Sequence, residues 1–221
     1  ELDGDLKQYS GFLTDIVFDE AVNFITENRD RNFFTYLATF MPHDFPGRQV
    51  PVEDIEPYRG NDSISDADRE TYAMVTRFDK NLGKLLDTVN KLGLEDNTVV
   101  IFLSDNGPEL VHPARYNMGL RDGKPTVYEG GIRVPCFVYW PKVTAPGTKI
   151  NAIAAHIDIM PTILEICGIN YDGLKFDGVD LTPLLTGSFY EHSNRSLFFQ
   201  FQRAEVPDMW TNCCVREQDF K

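Results

Sequence analysis

The chain is 221 residues long, 42% apolar and 25% charged, with a formal net charge of -13 at pH 7. That length and apolar content suffice for a full core, and an acidic balance without a basic run excludes nucleic acid and anionic membrane surfaces as natural partners. No apolar run approaches the roughly 18–20 residues of a membrane span, and the acidic start Glu1-Leu2-Asp3-Gly4-Asp5 has no signal-peptide character.

Residues 11–28 carry Phe12, Ile16, Phe18, Ala21, Val22 and Ile25 at helical spacing, with Thr14 or Asp15 as the N-cap. After the polar break 28–32, the run Phe33–Phe40 reads as a buried strand. It stops at Met41-Pro42 because proline cannot donate to a ladder, which leaves His43 just past a strand end. Residues 44–65, rich in Pro, Asp, Gly and Arg, read as an irregular surface loop. A long helix begins with Ser65 or Asp66 as cap and carries Tyr72, Val75, Phe78, Leu82, Leu85, Leu86, Val89 and Leu92 on one stripe. Asp79 and Lys80 fall on its solvent side, and Gly93 ends it.

Val99–Leu103 is an uninterrupted apolar run, the pattern of a strand buried on both faces in a parallel sheet. It stops at Ser104-Asp105-Asn106-Gly107, so a carboxylate and a carboxamide arrive together at a strand's C-terminal end, the edge where open α/β sheets bind ligands. Arg121-Asp122-Gly123-Lys124 and Glu129-Gly130-Gly131-Ile132-Arg133-Val134-Pro135 follow in a Gly-rich stretch. Oxygen donors, a lysine and an arginine together suit a hard cation and an oxyanion. Val134–Trp140 reads as a third strand, and Ile159–Cys167 as a helix capped by Asp158 and stopped by Gly168. His156 stands at the junction before that helix, and Thr182–Gly187 is a helical turn. From Ser196 a smaller antiparallel region begins. The order of elements argues for α/β layers around a mainly parallel sheet. The four cysteines form no C-x-x-C pair and so give no zinc or redox motif; Cys136 and Cys167 read as core residues, and Cys213-Cys214 have no assigned partners.

Met41-Pro42-His43, Ser104-Asp105-Asn106-Gly107, Gly123-Lys124, the Glu129–Pro135 run and Asp158-Ile159-Met160-Pro161-Thr162 occur in one order. Together they resemble the sulfatase family of the alkaline phosphatase-like superfamily, from about Gly11 to the end of the chain. The resemblance implies a three-layer α/β/α sandwich over residues 1–190 and the start of a small antiparallel C-terminal region over 191–221. It implies hydrolysis of sulfate monoesters, aryl sulfates or sulfated carbohydrates, at a calcium site, with magnesium (Mg2+) as the alternative to Ca2+. Asp105 and Asn106 match the family's cation ligands. His43 matches the histidine that protonates the leaving alcohol, and Lys124 the lysine that contacts the sulfate. His112, Arg121 and His156 are further candidates for substrate contact, while Glu129 and Arg133 read as loop architecture. A periplasmic, secreted or lysosomal location follows from the family.

One departure stands out. Sulfatases use a formylglycine made from the Cys or Ser of a C/S-x-P-S-R motif, and none occurs here: the residues two after each cysteine are Val138, Ile169, Val215 and Arg216. The expectation is a sulfatase fragment lacking the formylglycine segment, which alone turns over no sulfate ester. The rival readings are a phosphoester or phosphonate hydrolase of the same superfamily, and a non-catalytic module that binds a sulfated glycan.

Overall fold

Residues 7–43, 50–109, 115–190, 194–203, 205–206 and 208–221 are described by a computed structural model, in which the chain separates into the units Glu1–Thr98 and Val99–Lys221. In the first unit, α1 (Leu13–Glu27) buries Thr14, Phe18, Ala21 and Ile25 along one stripe. Leu85 and Val89 of α3 (Asp66–Lys91) close over that stripe, and Phe18 meets Phe78 edge-on with ring centroids 5.3 Å apart. Neither expected cap of α1 caps it. The helix starts after Phe12 without a side-chain cap, and Thr14 and Asp15 lie inside its first turn. Their polar groups have found tertiary partners instead: the Thr14 hydroxyl donates to the Met41 sulfur, and Arg77 holds the Asp15 carboxylate.

The cap of α3 is as expected, with the Ser65 Oγ accepting the Asp68 N–H at 3.1 Å. Gly93 follows its end at φ +70°, a conformation that favours glycine. The buried stripe differs from the expected one by a residue: Ala73 and Met74 are fully buried under Met41 and Val50, whereas Val75 is 48% exposed. Asp79 and Lys80 are exposed as expected, and the Lys80 ammonium also pairs with the fully buried Asp54. Asp54 belongs to α2 (Val52–Ile55), which with the 3-10 turn Glu56–Tyr58 gives regular structure to part of the expected loop. Residues 44–49 of that loop lie outside the described residues.

Phe33–Phe40 is extended, but among the described residues no strand pairs with it. Phe33, Thr35, Leu37 and Thr39 are half-buried, while Phe34, Tyr36, Ala38 and Phe40 are exposed. The expected buried strand is therefore a segment covered on one face only, the face that Phe33 and Leu37 turn to the α1–α3 core.

In the second unit, β1 (Val100–Leu103) pairs with β2 (Cys136–Tyr139) in antiparallel register, Val100 opposite Tyr139 and Leu103 opposite Cys136. The strands described are thus antiparallel pairs rather than parallel neighbours. Among the described residues between β1 and β2 the only helix is the single turn Glu129–Ile132, too short for the crossover that parallel neighbours need. Cys136 and Cys167 are exposed, against their expected place in the core. After the 3-10 turn His156–Asp158 comes α5 (Ile159–Ile166), ended by Gly168 at φ +62°. The Asp158 carboxylate does not cap α5; it is fully buried and accepts from the N–H groups of Ala155 (2.6 Å) and Val179 (3.0 Å) and from both terminal nitrogens of Arg195. The short α6 (Thr182–Thr186) follows, stopped by Gly187. The chain ends in an antiparallel ribbon, β3 (Ser196–Gln200) and β4 (Cys213–Glu217), the small antiparallel region expected from the sequence. The class is α/β, and no described helix is long and apolar enough to cross a membrane.

Candidate functional site

The chain leaves β1 at Leu103 and turns through Ser104–Gly107. Three glycines then fasten this turn to the stretch that carries Lys124. A Cβ on Gly107 would stand 1.7 Å from the Gly130 carbonyl oxygen, one on Gly130 1.8 Å from the Asp122 oxygen, and one on Gly131 2.1 Å from the Thr126 oxygen. Each contact is backbone on backbone, so only glycine allows it. The close approach is used for hydrogen bonds: Gly107 N–H donates to Gly131 O at 2.9 Å and Gly130 N–H to Arg121 O at 2.9 Å. Gly130 and Gly131 belong to α4 (Glu129–Ile132), a single helical turn that acts as the knot. Lys124 N–H in turn donates to Pro108 O at 3.0 Å. The Asp105-Asn106 turn, the Lys124 loop and the Glu-Gly-Gly turn are thus one folded piece.

Within it, Asp105 is exposed and its Oδ1 accepts the Asn106 N–H at 2.8 Å. The Asn106 Nδ2 donates to Gly107 O at 2.9 Å, which commits the amide nitrogen and leaves the carboxamide oxygen as the atom suited to a cation. Among the described residues no group of three or more His, Cys, Asp or Glu gathers, so these two donors do not complete a metal shell. Glu129 accepts from Arg216 at 3.4 Å and Lys221 at 3.0 Å, which fits the architectural part read for it.

The remaining candidates fall in different places. His43 belongs to the first unit, where its backbone N–H donates to Phe40 O at 2.7 Å. Arg121 lays its guanidinium 3.7 Å over the Tyr128 ring, a cation–π contact. His156 touches the turn through the backbone: its Nε2–H donates to the Ser104 carbonyl at 2.8 Å, one residue before Asp105. His112 lies outside the described residues. Sequence reasoning passed over Asn212, whose side chain bonds the backbone just beyond Lys124, and Arg195, the partner of Asp158. Neither belongs to the motifs that carry the family resemblance, and the first contact spans 87 residues. Cys214, also unassigned, turns its thiol toward Val127 O at 3.6 Å, and burial pushes that thiol's pKa up.

A family model described as Sulfatase matches residues 3–169, and one described as N-sulphoglucosamine sulphohydrolase, C-terminal, matches residues 118–221. Arylsulfatase A of Homo sapiens is 34% identical over 200 residues, which are 90% of this chain and 36% of that protein. Steryl-sulfatase of Mus musculus is 32% identical over 196 residues, 85% of this chain and 30% of that protein. Among solved structures, Ps i-CgsB in complex with k-i-k-neocarrahexaose superposes with a TM-score of 0.77 at 29% identity, over 89% of this chain and 43% of that one. BT4656 in complex with D-glucosamine-2-N,6-O-disulfate has a TM-score of 0.74 at 20% identity, a likeness of fold alone, over 98% of this chain and 61% of that one. The chain spans about a third of the length of the curated relatives it matches. A sulfatase model that matches more than half of the residues shows that this chain belongs to the sulfatase family.

Proposed function

We propose that the chain carries part of the active site of a sulfuric ester hydrolase, with Asp105 and Asn106 as cation ligands, Lys124 as the sulfate contact and His43 as the proton donor. The observation that supports this best is the glycine knot, because it sets a carboxylate–carboxamide pair and a lysine on one rigid backbone. The oxygen-only donor set of Asp105 and Asn106 fits a hard divalent cation, calcium first and magnesium second, though two residues supply only part of the about six to eight oxygens calcium takes. When bound, such an ion supplies positive charge opposite the sulfate oxygens.

The chain's own residues do the rest. Lys124 places an ammonium against the sulfate and opposes the negative charge that grows on the leaving oxygen. His43 holds a proton for that oxygen, so the alcohol leaves neutral. The nucleophile in this reading is the family's formylglycine, which the present sequence does not contain. The alcohol is an aryl or carbohydrate group, a range consistent with the names of the relatives and with the saccharide bound by the structural neighbour Ps i-CgsB. A periplasmic, secreted or lysosomal setting and the division into a core to residue 190 and a C-terminal subdomain belong to the same reading.

NMR titration of the chain, first with calcium chloride and then with sodium sulfate, tests it. Calcium should shift the Asp105–Gly107 amides with about millimolar affinity, as a partial oxygen site does. Sulfate should then shift Lys124. Asp105→Asn should remove the first response and Lys124→Ala the second. Sulfate binding that is unchanged in Lys124→Ala would overturn the assignment.

A further inference from the structure

We propose that Asn212 is a positioning residue for Lys124, bracing from the C-terminal ribbon the loop that presents the lysine. The inference rests on the sulfate-binding part proposed for Lys124. The Asn212 Nδ2 donates to Pro125 O at 2.9 Å, and its Oδ1 accepts Val127 N–H at 3.2 Å. One planar amide thereby grips the backbone on both sides of Thr126, starting one residue past Lys124. Because a donor and an acceptor must both be matched, the loop cannot slide along the ribbon without losing one of them. Asn212 itself stands at φ +48°, a left-handed conformation that asparagine tolerates better than most residues.

The grip continues along one face of β4. Residues 212, 214 and 216 alternate inward while 213, 215 and 217 are exposed. Cys214 reaches Val127 O, and Arg216 reaches Glu129. From the other direction Pro108 O accepts the Lys124 N–H. The lysine's backbone is therefore held between the segment that follows the Asp105 turn and the ribbon. A lysine stem is long and flexible, so a fixed backbone is what confines its ammonium to one small anion.

Two variants separate the brace from the backbone conformation. Asn212→Gly keeps access to positive φ but removes the carboxamide; Asn212→Asp keeps the acceptor for Val127 and loses the donor to Pro125. Each is measured in the full chain by sodium sulfate titration, by amide exchange at Lys124 without any anion, and by thermal melting. Asn212→Gly should weaken sulfate binding about tenfold, the scale of two lost hydrogen bonds, and should speed Lys124 exchange, with Asn212→Asp intermediate. Wild-type sulfate affinity or wild-type Lys124 protection in Asn212→Gly overturns the proposal, whatever happens to the melting temperature. If Lys124→Ala binds sulfate like the wild type, the functional reading of Lys124 fails instead, and Lys124 exchange still decides the brace.

Discussion

Among single residues, Asp158 is heavily committed. Its carboxylate is fully buried and its side-chain partner Arg195 is only 12% exposed. Four donors converge on its two oxygens, so the charge is compensated by hydrogen bonds as well as by the guanidinium. The same contact holds the Arg195 pKa above its ordinary value. Two residues earlier, His156 bonds the carbonyl of Ser104, so this buried pair backs the turn that carries Asp105. Replacing Arg195 with Met strands a buried carboxylate, and we expect a loss of about 3–5 kcal/mol in guanidinium unfolding. The double variant Asp158→Asn with Arg195→Met should recover part of that loss; an Arg195→Met protein as stable as the wild type would show that the carboxylate is not sealed from water. The sequence pointed to Asp158 as a helix cap, which found the right residue and the wrong partner. Propensity rules see neighbours within a few positions, and Arg195 is 37 residues away.

At the scale of elements, α1 and α3 are joined by charge as well as by apolar packing. The Arg77 guanidinium, hydrogen-bonded to Asp15, holds that carboxyl below the usual carboxylate range, and Asn81 adds to the effect. A depressed folded value means that the unfolded chain takes up the proton first. The contribution is complete above the unfolded carboxylate value, about 3.9, and is lost as pH falls through the folded value. Arg77→Met should therefore flatten the acid limb of stability below about pH 4 while leaving a constant deficit near neutrality; denaturant midpoints across that range measure it. The glycine knot makes a sharper prediction. Gly107→Ala drives a methyl into the Gly130 carbonyl, a backbone atom that cannot swing aside. We expect a loss of about 4 kcal/mol or more, read as loss of the native spectrum in the second unit. The elements themselves were legible to different degrees for one reason. The limits of α3 follow from Ser65 and Gly93, which are local. The sense of β1 against β2 is set by a return across residues 104–135, and an apolar run carries no sign of which way its partner points.

Across the whole molecule, the motif residues were legible because chemistry restricts residue type, whereas the groups that hold them were not, because a brace such as Asn212 or Arg195 needs only reach. The same contrast governs where the chain is firm. Ala73, Met74, Leu85 and Val89 of α3 are buried and their N–H groups lie inside a 26-residue helix. Phe34, Tyr36 and Phe40 are 65%, 82% and 71% exposed on a segment that no described strand pairs. Only the odd-numbered face of that segment is anchored, through Phe33 and Leu37 on the α1–α3 core and the edge-on contact of Phe33 with Phe24 at 6.4 Å. Opening it breaks few apolar contacts, while opening α3 dismantles the core of the first unit. Local opening free energies follow that difference, and amide exchange reports them. Hydrogen exchange should thus run on the order of a hundredfold or more faster at residues 34–40 than at residues 73–89. Comparable protection in both would mean that the extended segment has acquired ladder partners in solution, and Tyr36→Lys, placed on the open face, should then restore the fast exchange by setting a charge against any strand that pairs there.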